Sequence, residues 1–262
     1  MSLSSKVYGD YNMKIVVDAG HGGFDNGARF KGRREKDDTL ALALAVGDIL
    51  KQNGVDVVFT RTDDVYQTPY EKAMIANDAG ADYFVSLHRN AMPVPGTGTG
   101  VETLVHEDSG IRGVMARNIN EELSKLGFQN QGVMARPNIA VLRHTTMPAV
   151  LVEAGFIDND ADNAVFDENF DKITEGIAQG ILQSIVAAEE ELLYRVNVGV
   201  YENKNYATAL TNRLISQGFP AYINYHNGYY FVQVGAYENL NNAIEMENRL
   251  RNSGYSTYIA TE

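Results

Sequence analysis

The 262-residue chain contains no cysteine. That excludes thiolate metal ligands, thiol nucleophiles and disulfides, so any metal must be held by His, Asp or Glu. The absence also suits a protein working outside a bacterial cell without disulfide machinery. No run approaches the ~18 apolar residues that a membrane-spanning helix needs. There is no basic stripe either. With 34 acidic residues against 22 basic ones and a net charge of -12, nucleic acid is not expected as a partner. The N-terminus lacks an apolar secretory core. Residues 1–12 (MSLSSKVYGDYN) are polar and unpatterned, and are expected to be a tag or a disordered arm, with Met13 opening directly into a strand. If Met13 is the true start, export needs another route.

What is present is organised around three apolar runs. Val16-Val17-Asp18-Ala19-Gly20-His21-Gly22-Gly23 and Tyr83-Phe84-Val85-Ser86-Leu87-His88 each stop at a histidine, and Ala149-Val150-Leu151-Val152-Glu153 stops at a glutamate. Runs of this length, flanked by glycine and turn residues, read as buried strands. In open α/β sheets the chemistry lies just past the carboxyl ends of the strands. Glu35 stands at the mouth of a helix predicted over about 38–53. Its bland reading is a carboxylate favoured by the helix dipole. Its sharper reading joins it to His21, His88 and Glu153, which is the composition of a zinc site with a general acid/base beside it. The glycine-rich turn at 20–23 carries neither the G-x-G-x-x-G nor the Walker pattern, so a phosphate cradle is the weaker reading.

The remaining elements fall in a regular order. Val55 to Thr60 reads as a strand closing on Arg61. Thr68-Pro69-Tyr70-Glu71 is a capping box that opens a helix to about Ala79. Met92 to Gly100 reads as a flexible loop, Val101 to Val105 as a strand, and Ile111 to Leu126 as an amphipathic helix. Phe128 to Pro137 reads as loop, Ile139 to Leu142 as a short apolar run, and Phe170 to Glu191 as a last helix. The order β-α-β-α-β-β-α-β-α predicts an α/β fold: a mixed, mostly parallel sheet flanked by helices. Hydrophobic residues at 44% supply cores for one large domain or two small ones.

Residues 194–262 are a duplication. Tyr194-Arg195-Val196-Asn197-Val198-Gly199-Val200-Tyr201-Glu202-Asn203 aligns with Tyr230-Phe231-Val232-Gln233-Val234-Gly235-Ala236-Tyr237-Glu238-Asn239, and the offset of 36 continues through Asn212-Arg213-Leu214 against Asn248-Arg249-Leu250. Each copy reads strand, helix, strand. Two copies make a small α+β ferredoxin-like domain (βαβ-βαβ). Its basic and acidic residues balance, so the negative charge lies in residues 1–193. Tyrosines are abundant here, suited to stacking on sugar faces or to half-buried packing. No cluster of His, Asp and Glu occurs in this part, which should bind rather than catalyse.

The segments Val17 to Gly23 with Glu35, Ser86-Leu87-His88-Arg89-Asn90-Ala91, and Val152-Glu153-Ala154-Gly155-Phe156 together resemble the zinc-dependent N-acetylmuramoyl-L-alanine amidases (the amidase_3 family) over about residues 14–187. The C-terminal repeat resembles a SPOR domain, a peptidoglycan-binding module. The resemblance implies a catalytic domain over 13–188 and a wall-binding domain over 194–262. It implies one zinc ion (Zn2+) on His21, Glu35 and His88, with Glu153 catalytic. The implied reaction is hydrolysis of the amide bond between N-acetylmuramic acid and L-alanine in peptidoglycan, with glycan strands held by residues 194–262. A non-catalytic peptidoglycan-binding protein and a zinc endopeptidase of the stem peptide are the alternatives. An extracellular or wall-associated place in a bacterium follows, or a phage-type lysin released from the cytoplasm.

Asn90 and Arg61, at strand ends on the same edge, are candidate substrate contacts. Arg89, between two motif residues, suggests tuning of the substrate cleft. His144 reads as a solvent-facing loop residue, with a contact near the site as the alternative. His106 and His226 have no evident partners.

Overall fold

Ile15, Val16 and Val17 are all fully buried, because the strand that carries them lies inside a sheet covered on both faces. The computed structural model describes residues 13–191, 193–237 and 239–261. The expectation for residues 1–12 lies outside these. The chain divides after Ile185 into two units, with helix α6 (Phe170–Glu191) running past the division.

In the first unit the elements are β1 (Lys14–Ala19), β2 (Arg29–Phe30), β3 (Arg33–Arg34), α1 (Glu35–Gln52), β4 (Asp56–Phe59), α2 (Pro69–Asp78), β5 (Tyr83–Asn90), β6 (Val101–Val105), α3 (Gly110–Ser124), β7 (Asn130–Ala135), α4 (Ala140–His144), β8 (Ala149–Phe156), α5 (Asp160–Glu168) and α6 (Phe170–Glu191). Six strands form one sheet in the order β4-β1-β5-β8-β6-β7. Strands β4, β1, β5 and β8 run parallel, and β6 is antiparallel to β8.

Alternate residues feed two cores. Ile15, Val17, Val85, Leu87, Val150 and Val152 pack under α1, α3 and α6, for instance on Leu42, Ile119 and Ile177. Val16, Phe84, Leu104 and Leu151 pack on the opposite face with Ala76 of α2 and Leu142 of α4. That alternation assigns a face to each residue at the strand ends. The α2 capping box has both of its bonds, with the Glu71 amide donating to Thr68 Oγ1 at 3.1 Å and the Thr68 amide donating to Glu71 Oε2 at 2.7 Å.

Several local expectations are corrected. The stretch 128–137, read as loop, contains β7, a sheet-edge strand paired to β6 alone. The apolar run at Ile139–Leu142 opens the short helix α4. Helix α5 is an addition, started by Asn159, whose side chain accepts from the Ala161 and Asp162 amides.

The second unit contains β9 (Tyr194–Tyr201), α7 (Lys204–Ser216), β10 (Tyr222–His226), β11 (Tyr229–Tyr237), α8 (Leu240–Asn252) and β12 (Tyr258–Thr261). Its antiparallel order, β10-β11-β9-β12, is the ferredoxin-like one. The duplication shows in the core, where Val196, Ala207 and Leu214 of the first copy and Val232, Ala243 and Leu250 of the second are all buried together. The tyrosines divide. Tyr194, Tyr201, Tyr230, Tyr237 and Tyr255 pack against that core, whereas Tyr206, Tyr222, Tyr225, Tyr229 and Tyr258 are exposed.

Candidate metal centre

Strands β1, β5 and β8 end at one edge of the sheet and bring His21, His88 and Glu153 there. The loop after β1 turns sharply, and His21 itself takes a left-handed backbone with φ 60°. Gly20 is needed beneath it, since a Cβ at that position would lie 2.5–2.8 Å from the His88 ring. Glu35 is the first residue of α1, one turn earlier than the helix start predicted from sequence. Its amide donates to the Ala28 carbonyl at 3.0 Å, and its side chain is aimed inward, only 4 % exposed.

The Glu35 carboxylate lies between the two imidazoles, with Oε2 3.1 Å from His21 Nε2 and Oε1 3.0 Å from His88 Nδ1. Backbone amides hold the same carboxylate in place, Ala28 on Oε2 at 2.8 Å and Arg89 on Oε1 at 3.1 Å. One donor atom from each of His21, Glu35 and His88 lies within 4.8 Å of the others. Two imidazoles and a carboxylate in such proximity can hold a divalent metal with a coordination position left for solvent or substrate. Asp25 Oδ2, 2.8 Å from His21 Nδ1, directs the other ring nitrogen, Nε2, at Glu35. This is the usual role of an outer carboxylate on a metal-binding histidine.

Electrostatics follow from burial and pairing. Burial favours a neutral Glu35, but hydrogen bonds and charge from His21 and His88 outweigh it and hold the carboxyl well below the usual range. Burial likewise opposes charge on His21, and its bonds to Glu35 and Asp25 outweigh that, raising it to about 9. Glu153 goes the other way. Burial raises it to about 7, with the negative charges of Glu35 and Glu102 adding to the effect and His88 opposing it. Its Oε2 is buried and meets no hydrogen-bond partner among the described residues. Glu153 stands directly opposite His88 on β5 and Glu102 on β6. A protonatable carboxyl with a free oxygen thus adjoins the three-ligand cluster.

The other candidates are placed differently. Arg61 was expected at the substrate but is 3 % exposed, and its guanidinium donates to the carbonyls of Ala19, Gly20 and Lys36 at 3.2, 2.9 and 2.9 Å. It braces the histidine loop and is not free to meet a substrate. Asn90 reaches the edge with its amide engaged, Nδ2 donating to Glu102 Oε1 at 2.5 Å and Oδ1 accepting from the Ala91 amide at 2.8 Å. Arg89 does not tune the cleft. Strand alternation turns it away from His88, and it is buried on Asp38 at 2.8 Å and over the Phe166 ring at 3.9 Å. His144 ends α4, half-buried, its ring edge-on to Tyr70 at 5.3 Å. It precedes β8 and is not at the strand end that carries Glu153. His106 lines a separate cavity of about 230 Å³ with Arg112 and Arg143, and His226 is exposed on β10.

Three contributors were missed from sequence. Asp25 carried a faint signal, lying four residues after His21 in a loop. Asp18 and Lys72 carried none as a pair. Asp18 is fully buried and accepts from Lys72 Nζ at 2.8 Å, Thr60 Oγ1 at 2.6 Å and Ser86 Oγ at 2.6 Å. Lys72 Nζ also donates to the Ala19 carbonyl. This buried network ties β1, β5 and α2 together under the histidine loop.

The family model described as N-acetylmuramoyl-L-alanine amidase (Amidase_3) matches residues 15–183, and the SPOR domain model matches residues 193–261. The chain is 35% identical over 222 residues to the N-acetylmuramoyl-L-alanine amidase CwlM of Bacillus licheniformis, covering 82% of this chain and 86% of that protein. It is 38% identical over 159 residues to the endolysin of Bacillus phage SPP1, covering 58% of this chain and 57% of that protein. The crystal structure of an N-acetylmuramoyl-L-alanine amidase from Clostridium difficile 630 superposes with a TM-score of 0.63 at 34% identity, covering 67% of this chain and 98% of that one.

Proposed function

The chain belongs to the N-acetylmuramoyl-L-alanine amidase family, and on that premise we propose that His21, Glu35 and His88 hold a single zinc ion while Glu153 moves the proton. The enzyme is a hydrolase of the amide that joins N-acetylmuramic acid to L-alanine in peptidoglycan, and it carries a SPOR domain. The observation that carries the site assignment is the convergence of the three donor atoms within 4.8 Å directly beside a carboxyl whose Oε2 is buried and unpartnered among the described residues.

Bound zinc would polarise the scissile carbonyl and acidify the attacking water. The residues of the chain supply the rest. Asp25 fixes the orientation of His21, and the Asp18–Lys72 network and Arg61 fix the loop that presents it. Glu153, raised by burial to about 7, sits where it can take the water's proton and pass it to the amide nitrogen. The new C–O bond forms as the C–N bond breaks, leaving a muramoyl carboxylate and a free L-alanyl amino terminus.

The exposed tyrosines Tyr222, Tyr225 and Tyr229 on and beside the β10–β11 hairpin suit glycan stacking, and residues 194–262 are proposed to hold the enzyme on glycan strands, raising local substrate concentration. A place in or on the bacterial cell wall follows. The endolysin similarity covers 58% of this chain, the CwlM similarity 82%, so a cellular wall enzyme is the better supported of the two origins.

Mass spectrometry of purified peptidoglycan after digestion tests the bond. Stem peptides with a free L-alanine amino terminus support amidase cleavage. Fragments cut inside the peptide would replace it with the endopeptidase reading.

A further inference from the structure

Phe24 is 79 % exposed, yet it sits in a tightly held turn. The residue follows His21-Gly22-Gly23 directly. Gly22 and Asp25 exchange two backbone hydrogen bonds, at 3.0 and 3.1 Å, closing a turn with Phe24 at its apex. A second loop, after β4, packs onto this one. The Gly23 amide donates to Asp64 Oδ1 at 2.7 Å. Buried Lys36 bridges both loops, its Nζ donating to the Gly23 carbonyl at 2.7 Å and to Asp64 Oδ2 at 2.6 Å. The contact is close enough to demand glycine. A Cβ on Gly22 would run into the Val65 carbonyl, and one on Gly23 would lie 2.7 Å from the Tyr66 amide.

The result is a fixed aromatic pair. The Phe24 and Tyr66 rings stack with centroids 4.0 Å apart and an interplanar angle of 33°. Tyr66 is 40 % exposed and the adjoining Val65 48 %. The two rings and the adjoining valine form a rigid apolar surface beside the histidine loop that remains open to a partner.

The topology says what it faces. Along the sheet the order is β4-β1-β5-β8, so the aromatic pair, on the loops after β1 and β4, lies on one flank of the His21–Glu35–His88 cluster and Glu153 on the other. In the amidase reaction, on which this inference rests, the leaving nitrogen must be within reach of Glu153. The stem peptide therefore departs toward β8, and the acyl half, with its sugar, extends toward β1 and β4. The geometry points to Phe24 and Tyr66 as a stacking platform for the pyranose ring of the muramoyl half of the substrate. The C–H face of a neutral sugar matches an aromatic face, and Tyr66 adds a polar tip to it.

Two measurements test this. The 262 residues contain no tryptophan, so Phe24→Trp introduces a single reporter at an exposed position. Titration with a peptide-free disaccharide containing N-acetylmuramic acid is expected to give a saturable change in its emission, weakened when Tyr66→Ala is added. A response to free stem peptide and none to the disaccharide would overturn the sugar assignment. An emission change that depends on protein concentration alone would overturn it in favour of self-association. In turnover, Phe24→Ala should reduce the kcat/KM preference for a muramoyl-peptide over a lactoyl-peptide lacking the ring by about tenfold, and Phe24→Trp should retain that preference. Equal losses on both substrates would contradict the platform. A wild-type protein that releases no L-alanyl peptide while the tryptophan still titrates with disaccharide would sink the amidase reading and leave the platform standing.

Discussion

His88 and Glu153 stand directly opposite each other on neighbouring parallel strands. The pairing register sets a proposed metal ligand and the proposed proton carrier side by side, on the same face of the sheet, without any loop intervening. Just beyond them the register of β5 and β8 shifts, between His88 and Asn90. Glu102 continues the row on β6, so an acidic pair adjoins the imidazole.

Burial raises Glu153 most, and the like charges of Glu35 and then Glu102 add to it. Removing the Glu102 charge eases ionisation of Glu153, so Glu102→Gln should move the acidic limb of the kcat/KM profile to lower pH, by up to about one unit. Matched pH–rate profiles of the two proteins check this. A limb that stays in place, or moves up, would show that Glu102 is not felt at Glu153.

Asp25 would govern metal binding through its bond to His21. Asp25→Ala frees the imidazole to rotate and should weaken metal affinity by about 10–100-fold, read by competition with a chelator of known affinity. The protein should still fold, because the loop keeps its Gly22–Asp25 backbone bonds and its Lys36 clamp.

Metal removal exposes a pH dependence with a definite sign. In chelated protein His21 is held at about 9 against an ordinary 6.5, burial opposing and the bonds to Glu35 and Asp25 prevailing. A raised folded value means that the stabilisation is complete below about 6.5 and lost as pH rises through about 9, on the order of 3 kcal/mol. Thermal unfolding of the chelated protein should therefore decline over that window, and Glu35→Gln should flatten the decline.

Lys72 and Asp18 form a buried ion pair under the histidine loop. Lys72→Met strands the Asp18 carboxylate and should cost about 3–5 kcal/mol in denaturant unfolding, with Asp18→Asn in the same chain recovering much of it. No recovery in the double variant would place the role of Lys72 in its bond to the Ala19 carbonyl instead.

The elements that position the site were legible because they are repetitive. Apolar runs stopping at His21, His88 and Glu153 announce buried strands with chemistry at their ends, and the Thr68 capping box announces α2. What was not legible depends on long-range partners. Nothing local to Lys72 shows that its amine reaches Asp18, and Arg89 beside His88 reads as a site residue until strand alternation turns it into the core. Arg61 was misjudged for the same reason, since its acceptors are backbone carbonyls of a distant loop. Strand β7 escaped notice because its apolar residues, Val133, Met134 and Ala135, do not alternate and follow a glycine in an edge strand, whereas α5 had a readable cap in Asn159.

The most direct test is Glu153→Gln, assayed for metal and turnover together. If Glu153 carries the proton and His21, Glu35 and His88 hold the ion, the variant binds one zinc per chain like the natural protein. Its release of L-alanyl peptides from peptidoglycan falls by about 10²–10⁴-fold. Turnover near that of the natural protein, or loss of zinc together with activity, would contradict that division of roles.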